Sequence, residues 1–400
     1  MRNSGSPQPP LRLVYTGGPG DIIGSFRHWR AGQEDPTQVA MTYSGQFYSV
    51  CRELGAHAYV IGSHPRRETL ADGQFYIQHR PAVLADAKGA LSHLAHLWRS
   101  VRLGATAIRF RADAVIVGDG ACHWFPLRLL PKLGIAVIPT IHCVFWGKNA
   151  DRPSRVQRFV RWLDRPLWRC SASRILSASG DITAQLERLA GRARPVIEFL
   201  PTYRQGTFPA IEPPRQPPFR VLFAGRIEAN KGVFDLFEIA RRFRNAGRNE
   251  IVFELCGTGS ALEHLRREVA AAGLSDRFIM HGHCDRLTMR KMFENCHVVI
   301  VPTTTGFVEG FNQVVVEGVL SGRPVITSAV CPALEYVRDA VVEVPPDDVG
   351  AYQAALEQLV DDVVFYERKR SACPQLQAQF YDPARGWGAA LRKALEALPS

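Results

Sequence analysis

The sequence predicts an α/β protein built from two doubly wound, parallel-sheet domains that face each other across a cleft. Three observations predict it. Continuous apolar strands alternate with helical stretches of ten or more residues, the pattern of βαβ units covered on both faces. A chain of 400 residues exceeds what one hydrophobic core holds, so about two or three domains are expected. Between the two alternating halves lies PTYRQGTFPAIEPPRQPPF (201–219), rich in Pro and without periodicity, whose middle, 206–218, reads as a linker.

The elements follow in order. Residues 1–10, MRNSGSPQPP, hold no apolar run and read as a flexible tail. LRLVYTGG (11–18) is a strand ending in a glycine pair, VAMTYSGQFYSVCRELG is a helix stopped by Gly55, and AHAYVIG is the next strand. ADAVIVGDG, IAVIPTIH and RILSAS extend this first domain to about residue 205. The second domain, 219–383, opens on FRVLFAG and continues through the strands IVFELCG, RFIMHG, HVVIVP, PVITS and AVVEV with helices between them. A C-terminal helix at about 384–398 is a candidate to pack back on the first domain.

Composition narrows the function classes. At 46% hydrophobic and 22% charged residues, with no bilayer-length apolar run and no leader-like start, the expected address is the cytoplasm. Nine cysteines, none in a C-x-x-C pair, argue for reduced thiols, and His281-Gly282-His283-Cys284 reads as a loop after a strand, so no metal is expected. The net charge of +11 is uneven: residues 1–200 hold 26 Lys and Arg against 14 Asp and Glu, the remainder 23 against 24. Nucleic-acid binding is not expected, because the Arg residues fall on helices without a stacking-sheet or helix-turn-helix signature. Residues 153–174 interleave arginines with Val156, Phe159, Val160, Leu163 and Leu167 at helical spacing, with Pro166 ending the first helix. That pattern fits a cationic face on anionic lipid, or a core helix with a solvated Arg face.

The chemistry concentrates in the second domain. In AGRIEANKG (224–232), Arg226 and Lys231 follow a buried strand just where a helix begins near Gly232; two cations and a helix start describe an anion site suited to a diphosphate, the alternative being two solvated side chains. ELCGTGS (254–260) has G-x-G without G-x-G-x-x-G, so the dinucleotide signal is weak, while Gly257 lets a ligand approach backbone. In TTTGFVEGFNQVVVEGVLSGRPVITS (303–328), Gly322 and Pro324 are stop signals that make 312–320 a helix, entered through a 306–310 loop. Glu309 then precedes the helix and Glu317 lies on it about 12 Å further along at ~1.5 Å per residue. At that separation they suit hydroxyl binding at opposite ends of one elongated ligand, with Phe311, Asn312 and Gln313 amides at the helix start favouring its negative centre.

FVEGFNQVVVEGVLSGRPVIT resembles the E-x7-E signature of retaining GT-B glycosyltransferases of family 4 (glycosyl transferases group 1), and GRIEANKG resembles that family's diphosphate-binding segment. Gly318 departs from the Ala usual after the second Glu. The resemblance implies a GT-B fold of two Rossmann-like domains. It also implies a hexosyltransferase-type enzyme (EC 2.4) moving a sugar from a UDP- or GDP-sugar, with retention, to a glycan or lipid-linked acceptor, with no cofactor beyond that donor. By resemblance, Glu317 holds the ribose, Arg226 and Lys231 the diphosphate, Glu309 and Gly310 the sugar side. It puts Gly17 and Gly18 near donor phosphates and acceptor, and His142, in PTIHCVFW, in the cleft. VIVGDGACHW departs from the family's His-rich segment: Asp119 takes the aligned position and His123 stands four residues away. Envelope or exopolysaccharide synthesis, peripheral on the inner membrane face, is the expected setting; an epimerase or hydrolase on the same scaffold is the alternative.

Overall fold

The computed structural model describes residues 9–82, 89–147, 153–192, 194–209, 212–214 and 217–398. The first sheet comprises β1 (Arg12–Pro19), β2 (His57–Ser63), β3 (Glu68–Asp72), β4 (Phe75–Arg80), β5 (Ala114–Gly118), β6 (Ala136–Ile141), β7 (Ile175–Ser177) and β8 (Val196–Glu198), in the order β3-β4-β2-β1-β5-β6-β7-β8. Only β3 runs antiparallel, on β4. The second comprises β9 (Phe219–Ala224), β10 (Ile251–Cys256), β11 (Phe278–Gly282), β12 (Val298–Val301), β13 (Val325–Ser328) and β14 (Val341–Val344), all parallel, in the order β11-β10-β9-β12-β13-β14. Strand order reverses beside β1 in one sheet and beside β9 in the other, which opens a crevice at the carboxyl end of each.

The helices that matter for function are α1 (Ile22–Arg30), α2 (Tyr43–Leu54), α3 (Ala90–Phe110), α4 (Arg155–Pro166), α5 (Gly180–Ala190), α6 (Val233–Asn245), α7 (Leu262–Ala271), α8 (Arg286–Asn295) and α9 (Gln313–Leu320). Their ends follow local chemistry. Thr42 caps α2 by accepting from the Gly45 amide, which starts the helix later than its apolar pattern, and Gly55 stops it at φ 61°. α4 ends at Pro166 as the sequence predicts, and the chain continues through a wider turn, Leu167–Ser171, closed by the Ala172 amide on the Leu167 carbonyl at 2.9 Å.

Helix Trp387–Glu396 packs on α2, β7 and β8, with Trp387, Leu391 and Ala394 fully buried in the first domain's core. Each of the large side chains contributes about 1.5–3 kcal/mol by leaving water. The Trp387 indole donates to Thr140 Oγ1 at 2.8 Å and the Gly388 amide to Gln46 Oε1 at 2.9 Å. The chain thus crosses between the two sheets twice, once before β9 and once before this helix, and both crossings constrain the cleft.

Candidate functional site

The loop after β9 is shaped by contacts that require glycine. A Cβ on Gly257 would fall 1.8 Å from the Gly225 carbonyl oxygen, and one on Gly232 2.1 Å from that of Pro302. The Ile227 amide donates to Thr258 O at 2.9 Å and the Ala261 amide to Ile227 O at 3.0 Å, lacing GRIE to CGTGS. A short turn, Ala229–Lys231, then delivers Lys231 under the loop that precedes α9.

There Lys231 Nζ lies 2.6 Å from Glu309 Oε2, both side chains nearly buried, and 3.7 Å from the centroid of Phe307. Asn312 Nδ2 donates to the same Glu309 oxygen at 3.0 Å. This turned-back side chain goes with a left-handed Asn312, φ 71°, so α9 begins at Gln313, one residue later than the pattern suggests. Arg226 is more exposed; its guanidinium sits over the other side of this cluster, 5.3 Å from the Phe307 centroid, and pairs with Glu228 at 3.1 Å. Five side chains from two loops therefore surround one polar point, beside the unsatisfied start of a helix.

Glu317 is one turn from the end of α9 and 7% exposed. Burial pushes its carboxyl up to about 7, against which the Tyr203 hydroxyl, 3.3 Å from Oε1, works weakly in the opposite direction. The sequence pointed Glu317 at a ligand; the structure covers it with a tyrosine from the segment between β8 and β9.

Across the cleft, the α9 entry loop touches the first domain. Ser179 Oγ donates to the Gly310 carbonyl at 3.0 Å, and a Cβ on Gly310 would lie 1.6 Å from His142 O. His142 Nε2 stands 3.1 Å from Thr140 Oγ1. That oxygen also accepts from the Trp387 indole, and its second lone pair and its proton both serve Nε2, so the contact is made by either ring tautomer. Nδ1 is buried without a protein partner, and the surrounding desolvation holds the imidazole neutral, below its ordinary pKa, despite Asp119 nearby. Asp119 Oδ2 accepts from the Cys143 amide at 2.8 Å and so anchors the turn that carries His142. His123 points elsewhere: its Nε2 is 3.3 Å from His93 Nδ1 on α3.

Gly17 and Gly18 lie near the carboxyl end of β1 and line a cavity of about 590 Å³ with Tyr43 and, from α9, Gln313. The structure thus gathers Lys231, Glu309, Arg226 and Asn312 in one cluster, with Gly310 and His142 against it. Phe311 packs inward, its carbonyl accepting from Ala333 N at 2.9 Å, and Gly257 serves the loop's shape. Sequence reasoning missed Phe307, Ser179 and Tyr203. Phe307 stood inside the quoted motif and was readable as a cation partner; Ser179 and Tyr203 arrive through tertiary contacts that no local pattern announces.

Residues 205–373 match the family described as Glycosyl transferases group 1. The chain is 24% identical over 283 residues to glycogen synthase of Mycobacterium tuberculosis (strain CDC 1551 / Oshkosh), covering 68% of this chain and 66% of that protein, just under two thirds of its length. Its backbone resembles sucrose-phosphate synthase from Thermosynechococcus elongatus, TM-score 0.72 at 16% identity over 96% of this chain and 98% of that one. It also resembles Anabaena HepE in complex with UDP, TM-score 0.67 at 13% identity over 97% and 99%. The fold is GT-B.

Proposed function

With a glycosyl transferases group 1 segment on a GT-B scaffold as the premise, we propose that the protein is a glycosyltransferase (EC 2.4). It transfers a hexosyl group from a nucleotide-sugar, with retention, to a glycan or lipid-linked acceptor. The observation that carries the reading is the Lys231–Glu309 pair at 2.6 Å, set beside Arg226 and the start of α9. Residues 219–383 form the donor side and 11–205 the acceptor side. The UDP in the HepE complex supports a uridine donor.

As the bond from the anomeric carbon to the diphosphate breaks, its electron pair leaves with the diphosphate. Lys231 and Arg226 take up that charge without needing a metal ion. Glu309, Gly310 and the His142 ring lie on the sugar side, and Glu317 reaches the ribose once Tyr203 yields it. Retention requires the acceptor hydroxyl to enter on the face the diphosphate leaves, so its proton passes to a departing phosphate oxygen.

The setting we propose is an anionic membrane surface. On α4 only Asp164 is buried, while Val156, Phe159 and Trp162 are 52%, 58% and 64% exposed beside exposed Arg155, Arg158 and Arg165. A core helix would bury those apolar side chains. Among the described residues no helix is long and apolar enough to cross a membrane. A thermal-shift panel of UDP-, GDP- and ADP-sugars tests the donor, and proton NMR of the product tests retention. A protein stabilised by none of them, or a product of inverted configuration, overturns the respective claim.

A further inference from the structure

Gly17 and Gly18 also line a second cavity of the first domain, of about 260 Å³. Arg80, the last residue of β4, and Trp98, Arg99 and Arg102 of α3 line it, and no carboxylate does among the described residues. Arg80 is aimed by neutral partners alone. Its Nε donates to Gln78 Oε1 at 2.8 Å, and its Nη2 lies 3.2 Å from the Tyr59 hydroxyl and 3.3 Å from Thr106 Oγ1. Those bonds fix the guanidinium without neutralising it. Arg102 is lowered from its ordinary pKa by desolvation and by the charges of Arg80 and Arg67. Arg80 and Arg102 held together at a cavity that no carboxylate lines among the described residues are the arrangement of an anion site.

The cavity also has an exit toward the chemistry. Gly17, Gly18 and Pro19 line both it and the larger cleft cavity. A Cβ on Gly18 would meet nothing within 4 Å, so open space borders this shared loop. Trp98 and Arg102, one helical turn apart on α3, present a flat apolar ring and a cation to the same ligand.

We propose that this cavity binds a phosphate group of the acceptor, anchored by Arg80 and Arg102, with the acceptor's reacting hydroxyl carried over Gly17 and Gly18 into the cleft. The inference rests on the glycosyltransferase reading and adds to it the chemical class of the acceptor. A sugar phosphate and an isoprenoid phosphate share the required chemistry, and Trp98 accommodates either a pyranose face or a chain.

Isothermal titration with glucose 6-phosphate and farnesyl phosphate, with glucose and farnesol as uncharged controls, tests it on the full chain. At least one phosphorylated probe binds the wild type more than tenfold tighter than its uncharged counterpart, and the tighter of the two identifies the source. Arg102→Gln, an exposed position, weakens that probe about tenfold, as does Arg80→Gln, while both variants keep wild-type affinity for UDP. Binding of neither phosphorylated probe, or unchanged binding by Arg102→Gln, overturns the proposal. Loss of UDP binding by the wild type with phosphate binding intact would instead overturn the donor reading, so the two failures are distinct.

Discussion

Lys231→Ala separates two roles that meet at one nitrogen. In the unliganded protein Lys231 neutralises Glu309 at 2.6 Å, the two side chains 13% and 12% exposed. Removing one partner of a buried ion pair costs about 3–5 kcal/mol, since the remaining charge loses its compensation. Asn312 still donates to Glu309, which puts this case at the lower end, about 3 kcal/mol. At roughly 2–4 °C per kcal/mol, Tm falls by about 6–12 °C. In the proposed complex the same ammonium faces the diphosphate, a charged hydrogen bond worth about 1.5–3 kcal/mol, or about 10- to 100-fold in Kd.

Glu309→Gln breaks the pair from the other side and predicts a different outcome. Tm falls, but UDP binds at least as tightly as in the wild type, because Lys231 no longer divides its charge. The double variant Lys231→Met with Glu309→Gln sets two neutral groups face to face and recovers most of the lost Tm. Titration calorimetry with UDP, alongside thermal melts of all four proteins, reads both roles. Equal loss of UDP affinity in Lys231→Ala and Glu309→Gln, or wild-type affinity in Lys231→Ala, would refute the reasoning.

Three further expectations follow from the same geometry. Glu317 is raised from 4.5 to about 7, so the native protein holds a proton that the unfolded chain releases. Its stability contribution is fully present below pH about 4.5 and lost as pH rises to about 7. Glu317→Gln therefore gains on the wild type, by on the order of 2–3 kcal/mol, between urea melts at pH 5 and pH 7.5; Asp164, also pushed to about 7, remains in both proteins and cancels. A difference that stays constant across that window contradicts the buried-carboxyl account. Gly310→Ala drives a Cβ into His142 O, so small-angle scattering shows a more open molecule and transferase turnover drops more than tenfold; a wild-type profile would mean the loop yields elsewhere. Phe159→Glu with Trp162→Glu abolishes co-sedimentation with vesicles containing phosphatidylglycerol while leaving Tm within about 1 °C, since both side chains are already exposed; unchanged sedimentation removes α4 from the membrane proposal.

Much of this was legible in the chain itself, for physical reasons that can be named. The parallel strands are continuous apolar runs because both faces are covered, and Gly55 marked a helix end because the left-handed cap needs it. The loop after β9 was legible as a turn because its glycines and cations are adjacent in sequence. The β3–β4 hairpin was not: its strands alternate partly exposed residues and carry no apolar run. Pro166 marked the end of α4, while the wider turn that follows it carries no sequence signal. The Lys231–Glu309 pair spans 78 residues, and Tyr203 meets Glu317 across 114, so both depend on the folded arrangement of β9, α9 and the linker. Arg80 and Arg102 lie on different elements, β4 and α3, and meet at one cavity only in the fold.

The central claim is that the loop after β9 and the start of α9 grip a diphosphate. The most direct measurement is a calorimetric ladder of nucleoside, nucleoside monophosphate and nucleoside diphosphate for uridine, guanosine and adenosine. The account predicts that for one base the second phosphate improves affinity at least tenfold over the first. Equal affinity for mono- and diphosphate across all three bases would contradict it.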